Sequence, residues 1–398
     1  MQSYRVFFGE YDKLGRSKPN VEEIKEYLDS AYCPINNFVG NTNAIEKLKT
    51  ILFTAFMHPY HLCREIAFSI FGPASSGKTT LVKLFAKTIH LPMIEFSPQV
   101  KCVEDIFKEI CSVLQKEGIP LVEAEPKHYE LPPCVIFFDE VHALKDKVVQ
   151  ALLKATEYND GILVTENGKT INCHNVCWMI ATTDEGMLFD AFRTRFSPLN
   201  LVSLTCKEIA QIVKLANKDF PIEVCEAIAF YNKRVPRKAL EFARFVKMKI
   251  DQNSKTTGEI NPLDIVCEVA MNEGIDAQGV SKIHRTVLDA LYEGAVSKGR
   301  MPIIVGKKKE EVESDIMPWL MTETSDCKAW VTVSNKGYIL TEAGREAYNE
   351  YVNWFSNESF ERNRRMHKKS KTDFYKEAFK EQYNCMRVDE EKKLSVVS

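Results

Sequence analysis

Residues 71–80 read FGPASSGKTT, and the stretch from Gly72 to Thr79 fits the pattern G-x-x-x-x-G-K-[ST]. The run before it, IAFSIF at 66–71, is apolar enough to be a buried strand, and TTLVKLFAKTI at 79–89 repeats apolar residues at helical spacing. Strand, loop and helix thus come in the order a phosphate-holding device needs. Gly72 and Gly77 let the backbone curl until its N–H groups and the helix N-terminus face an anion. Lys78 is expected to reach the outer phosphates and Thr79 to ligate magnesium, with Thr80 beside it in the first turn. ATP and Mg2+ are the ligands this pattern calls for.

Holding a phosphate is not hydrolysing it, and the second requirement is a carboxylate at the end of a neighbouring strand. CVIFFDEVHAL at 134–144 supplies two. Five apolar residues fit a parallel strand covered on both faces, and Asp139 and Glu140 follow at its carboxyl end, where open α/β sheets bind ligands. Asp139 is expected to hold the magnesium and Glu140 to polarise the attacking water. His142 is read as structural, because a carboxylate already fills the base role. A third strand, NVCWMIATT at 175–183, ends in Thr182 and Thr183, and a hydroxyl there is placed to bond a phosphate or the water.

The run ATTDEGMLFDAFRTRF at 181–196 resembles the sensor-1 and arginine-finger segment of the RuvB family of AAA+ motors. Three further segments are similar in the same order: FVGNTNAIEKLKTILFTA at 38–55, RVPRKALEFARFV at 234–246 and NEGIDAQGVSKIHRTVLDAL at 272–291. The resemblance implies an α/β AAA+ P-loop domain with a parallel sheet, then a helical lid and a C-terminal winged helix. It implies that Phe38 and Val39 pack on the adenine, that Thr183 is the sensor-1 residue, and that Arg237 acts on the protomer's own nucleotide. Arg195, with Arg193 as the other candidate, is implied to act on the neighbour's nucleotide, which requires a homo-oligomeric ring, in this family a hexamer.

Beyond residue 278, KKKEEVESDIMPWLM at 307–321 reads as a helix and AWVTVSNKGYILT at 329–341 alternates like a hairpin, together the pattern of a winged helix. The resemblance puts Lys336 at the DNA-facing wing tip, and Lys307 opens the second basic candidate, the Lys307 to Lys309 triplet. Lysines there position a protein on phosphates and specify little sequence. The expected organisation is an extension over 1–35, the ATPase domain over 36–203, the lid over 204–277, the winged helix over 278–348 and a basic tail over 349–398, whose RNRRMHKKSK holds a cluster of cations at 362–371.

The implied function is an ATP-driven helicase or translocase that moves four-way junctions in double-stranded DNA during recombination and repair. A clamp-loader-like AAA+ ATPase of DNA replication is the alternative, distinguished by a helical collar where this chain shows a wing. The hairpin GILVTENGKTINCHNV at 161–176 is expected to turn at Asn167 and Gly168; its tip is polar and short, which leaves a RuvA-like partner open.

Composition is neutral on partners. The 398 residues are 45% hydrophobic and 27% charged with a formal charge of −2, so any nucleic-acid face must come from local clusters. No apolar run of membrane-spanning length and no secretory pattern opens the chain, so a cytoplasmic location is expected. Twelve scattered cysteines fit reduced core thiols. Neither Cys173, His174 and Cys177 nor His58, His61 and Cys63 has the second cluster a zinc site needs.

Overall fold

Five consecutive apolar residues need cover on two sides, and the protein provides it. The computed structural model describes residues 21–57, 66–157, 161–188, 190–232, 235–254, 261–325, 327–355 and 370–381. His58, His61 and Cys63 lie outside the described residues, as does the basic run as far as residue 369. The first strands are β1 (Ala67–Phe71), β2 (Met93–Phe96), β3 (Val122–Glu125), β4 (His128–Glu130) and β5 (Cys134–Phe138). After them come β6 (Ile162–Val164), β7 (Thr170–Asn172), β8 (Val176–Thr182) and β9 (Ser197–Asn200).

A five-stranded sheet runs β2-β5-β8-β1-β9 with every pair parallel. Within β5 the side chains alternate between two cores: Val135 and Phe137 join Leu52, Phe68 and Phe85 on one side. Cys134, Ile136 and Phe138 join Ile106, Ile110 and Val149 on the other. This is an α/β domain with helices on both faces.

The segment before residue 36 is partly a component of this domain. Helix Val21–Asp29 buries Ile24 and Leu28 in the first core. Tyr27 Oη donates to Thr88 O at 2.9 Å and Ile35 N to Thr88 Oγ1 at 3.0 Å, so the segment is bolted to the far end of the helix that follows the glycine-rich loop.

A second, four-stranded sheet, β3-β4-β7-β6, extends from the domain. The hairpin at 161–176 turns differently from the Asn-Gly expectation. Thr165 N pairs with Lys169 O and Gly168 N with Thr165 O, giving a three-residue turn in which Gly168 alone has the left-handed backbone, at φ 73°. The longer turn frees Glu166, whose carboxylate accepts from Val103 N at 3.2 Å and Glu104 N at 3.0 Å and so caps helix Val103–Lys116. Backbone donors, its own first, hold the Glu166 carboxyl below the usual carboxylate range.

The chain forms two compact units that part between Val202 and Ser203. In the second unit, Thr205 opens helix Cys206–Ala216 with a reciprocal cap: its hydroxyl accepts from Glu208 N while the Glu208 carboxylate accepts from Thr205 N at 2.7 Å. Helices Ile222–Tyr231, Pro236–Ser254 and Pro262–Asn272 share one core with it. The expected tail beyond 349 needs correction, because residues 371–381 are a helix in that core. Tyr375, Ala378 and Phe379 recur at helical spacing, and that apolar stripe is what the core takes up. Tyr231 Oη donates to Tyr375 O at 3.1 Å and Tyr375 Oη to Ile275 O at 2.9 Å.

A second core in this unit gathers helix Lys282–Glu293, the helical run of Lys309–Glu311, Val312–Ile316 and Met317–Met321, and an antiparallel hairpin. The hairpin is β10 (Val331–Ser334) with β11 (Gly337–Leu340). Gly337 has φ 114°, and a Cβ there would stand 2.3 Å from Val296 O, so glycine is required where the hairpin passes the preceding loop. Among the described residues no helix is long and apolar enough to cross a membrane.

Candidate active site

At the carboxyl end of β1 the chain leaves the sheet through Gly72, whose missing Cβ would stand 2.8 Å from Leu201 O. Ser75 (φ 64°) and Gly77 (φ 94°) are both left-handed, which folds the loop tightly and turns it into helix Lys78–Thr88. The first N–H groups of a helix have no partners of their own, so the loop and the helix start form a donor-lined cradle for an anion. Ser76 Oγ is buried there with no hydrogen-bond partner among the described residues.

Lys78 is 7% exposed and folded over this cradle, donating to Gly72 O at 2.9 Å and Pro73 O at 3.1 Å. Burial pushes its pKa down, while Glu140 and Asp139 pull it back up. Thr79 Oγ1 donates to Asp139 Oδ2 at 3.1 Å, which brings together the hydroxyl and carboxylate a hard divalent cation takes as oxygen ligands. Thr80 stands in the same first turn with its side chain exposed.

Glu140 is the next residue, and its backbone is left-handed at φ 48° and ψ 51°. Such a conformation costs a non-glycine residue on the order of 1 kcal/mol and concentrates at functional positions. Here it turns the carboxylate toward β8. Oε2 accepts from Thr183 N at 3.0 Å and Thr183 Oγ1 at 3.1 Å, and Oε1 lies 4.0 Å from Lys78 Nζ. The cation, both carboxylates and both hydroxyls expected from the sequence therefore converge at the ends of three adjacent strands.

Phe38 also reaches this place. Its ring edge lies 3.1 Å from where a Cβ on Gly77 would be. Val39 follows, half-buried, and the segment is clasped by Asn41, whose side chain accepts from Val202 N at 2.7 Å and donates to Val202 O at 3.3 Å. Sequence reading misses Asn41, since its only signal is a side chain able to pair with a backbone amide far along the chain.

The two arginine-finger candidates stand apart from this cluster. Arg195 donates to Leu153 O and lies 3.6 Å from Glu157, beyond the C-terminal part of helix Asp146–Ala155. At 1.5 Å per residue, Leu153 is roughly 10 Å along that helix from its first residue, Asp146. Arg193 donates to Glu185 O and is likewise exposed. Arg237 belongs to the second unit, exposed in the first turn of helix Pro236–Ser254.

Lys336 is exposed in the two-residue turn between β10 and β11. Lys298 and Arg300, which no motif singles out, are exposed in the loop that Gly337 touches through Val296 and Ser297. Lys307 is compromised as a phosphate contact, because its ammonium pairs with Glu311 at 2.6 Å and Glu310, Glu313 and Asp315 follow.

Residues 68–204 match the family described as ATPases associated with various cellular activities (AAA). The Holliday junction branch migration complex subunit RuvB of a Wolbachia of Brugia malayi is 25% identical over 346 residues, covering 83% of this chain and 96% of the relative. RuvB of Thermotoga petrophila is 24% identical over 301 residues, 72% of this chain and 84% of its own. Among solved structures, the Thermotoga maritima RuvB Holliday junction branch migration motor superposes with a TM-score of 0.60 at 22% identity, over 81% of this chain and 98% of its own. A point mutant of the same protein gives 0.61 at 23% identity, over 79% and 97%. Residues 68–204 are thus similar to the AAA ATPases, and the chain is similar to RuvB along most of its length.

Proposed function

We propose that the protein is an ATP-hydrolysing motor that moves Holliday junctions in double-stranded DNA, working as a homo-hexameric ring. The observation that carries this reading is the extent of the likeness to RuvB, which spans 83% of the chain whereas the AAA family match ends at residue 204. A clamp-loader-like ATPase would share the nucleotide site and leave that extent unexplained.

The proposed chemistry follows from the geometry. The loop from Gly72 to Gly77 and the start of helix Lys78–Thr88 bind the phosphate chain, with Thr80 in the same turn, and Lys78 exchanges its two carbonyl partners for phosphate oxygens. Phe38 and Val39 take the base. Magnesium bound with the nucleotide supplies charge neutralisation, and Thr79 and Asp139 are the residues to hold it. Glu140, with Thr183 fixing one of its oxygens, orients and deprotonates the attacking water.

Arg195 completes the neighbouring protomer's site, its reach within its own chain being directed away along helix Asp146–Ala155, and Arg237 senses the nucleotide from the lid over 204–277. The core around β10 and β11 is a winged helix over 278–348 that sets Lys336 against DNA phosphates, with Lys307 in a minor part. A RuvA-like partner is part of the same proposal, and a cytoplasmic setting fits it.

The test is ATP-dependent dissociation of a synthetic four-way junction against an ordinary duplex fork, with and without a junction-binding partner. Preferential dissociation of the junction is expected. Equal rates on both substrates, or none on either, would overturn the junction-motor reading.

A further inference from the structure

His142 lies two residues past Glu140 in the short turn Val141–Ala143, outside the machinery so far assigned. Its Nδ1 is 2.7 Å from Thr182 Oγ1 and 3.3 Å from Glu140 Oε2. Thr182 is 1% exposed, and its hydroxyl is already committed: Oγ1 donates to Asp184 O at 3.2 Å and accepts from Asp184 N at 3.0 Å. A hydroxyl has a single proton to give. Nδ1 also faces the Glu140 carboxylate oxygen, which when ionised has no proton to give, so Nδ1 is assigned as the N–H that both oxygens accept.

That N–H is within reach of Glu140 Oε2 as well. The carboxylate oxygen then stands among three donors, Thr183 N at 3.0 Å, Thr183 Oγ1 at 3.1 Å and His142 Nδ1 at 3.3 Å. Oε1, by contrast, has among the described residues the Lys78 ammonium at 4.0 Å. The two oxygens of one carboxylate are therefore in different situations, one tied to the end of β8 and one left toward the cradle. Holding Oε2 also fixes the rotamer that the left-handed backbone sets toward β8.

We infer that His142 is a positioning residue for hydrolysis, joining Glu140 Oε2 to the buried Thr182 so that Oε1 is presented to the attacking water. The inference rests on Glu140 being the base. It gives β8 two grips on that carboxylate, Thr183 directly and Thr182 through the imidazole. A misplacement of about 1 Å in a reacting group can cost on the order of a hundredfold in rate, which is the scale available to such a residue.

Three substitutions in the full-length protein test it. Asn sets an amide N–H close to where Nδ1 stands, Gln sets one near Nε2, and Ala removes both. Phosphate release at saturating ATP gives kcat, and a fluorescent nucleotide gives affinity. His142→Ala and His142→Gln are expected to lose about tenfold to a hundredfold in kcat with affinity within about threefold of the parent, whereas His142→Asn stays within about threefold in both. Full kcat in His142→Ala would sink the inference, as would an Asn variant as impaired as the Gln variant at equal thermal midpoint. If the Ala variant does not fold, the Asn and Gln contrast decides. Glu140→Gln separates this from the underlying assignment: an active Glu140→Gln defeats the base itself, while an inactive one beside fully active His142 variants defeats only the role of His142.

Discussion

Glu140 shows how much one backbone angle can set. Its left-handed conformation turns a side chain that would otherwise leave the strand end back onto Thr183, and the carboxylate then shares the site with Lys78. Replacing the carboxylate by a carboxamide of the same size removes the base and leaves the cradle intact. Glu140→Gln is expected to bind ATP within a few fold of the parent and to lose at least about a hundredfold in turnover, read as nucleotide affinity against phosphate release. Lys336 is a residue of the other kind, a single solvated charge. Lys336→Ala is expected to weaken duplex binding evenly across sequences and to lower the slope of log affinity against log salt by about one, measured by titration at several salt concentrations. The nucleotide-site residues are legible in the sequence because they come in short runs whose order mirrors strand, loop and helix. Asn41 and His142 are not, since Val202 and Thr182, the partners that give them a role, lie 161 and 40 positions away.

At the scale of elements, β1, β5 and β8 are legible for the same reason that they are buried: double-sided cover demands unbroken apolar runs, which the sheet's outer strands β2 and β9 lack. β3 and β4 are missed because they need no such run. VEAE in β3 is exposed throughout, and a proline and a left-handed Lys127 separate it from β4, so the stretch reads as a loop. FYKEAFKEQY at 374–383 shows its aromatics near helical spacing, but the strongly basic run just upstream suggests a tail, along DNA or in solvent, and hides its place in the core. Its true weight is in Phe379, 2% exposed and edge-on to Phe230 at 5.6 Å between ring centres. Phe379→Ala is expected to cost about 3–5 kcal/mol in the second unit, measured as a shift of its urea midpoint, with phosphate release at saturating ATP lost only as that unit unfolds. An unchanged midpoint would mean that the helix is not part of that unit's core.

For the molecule as a whole, the decisive question is where Arg195 acts. In its own chain it answers to Leu153 and Glu157, which is a modest surface contact and not a reason to place an arginine there. If it serves a neighbour, two inactive variants complement one another. Mixing Arg195→Ala with Lys78→Ala protomers is expected to restore part of the ATPase activity, because some interfaces then pair an intact Lys78 with an intact Arg195. Complete inactivity at every mixing ratio would exclude action between protomers. The same sheet that presents these residues also sets when they can first exist. β1 pairs only with β8 and β9, and Ala67 meets Trp178, about 110 residues later in the chain. During synthesis the strand leading into the glycine loop therefore waits, edge bare, for most of the first unit to leave the ribosome. Nascent chains cut short before β8 hold every residue of the loop but neither strand that flanks β1, so nucleotide affinity is expected to arrive late.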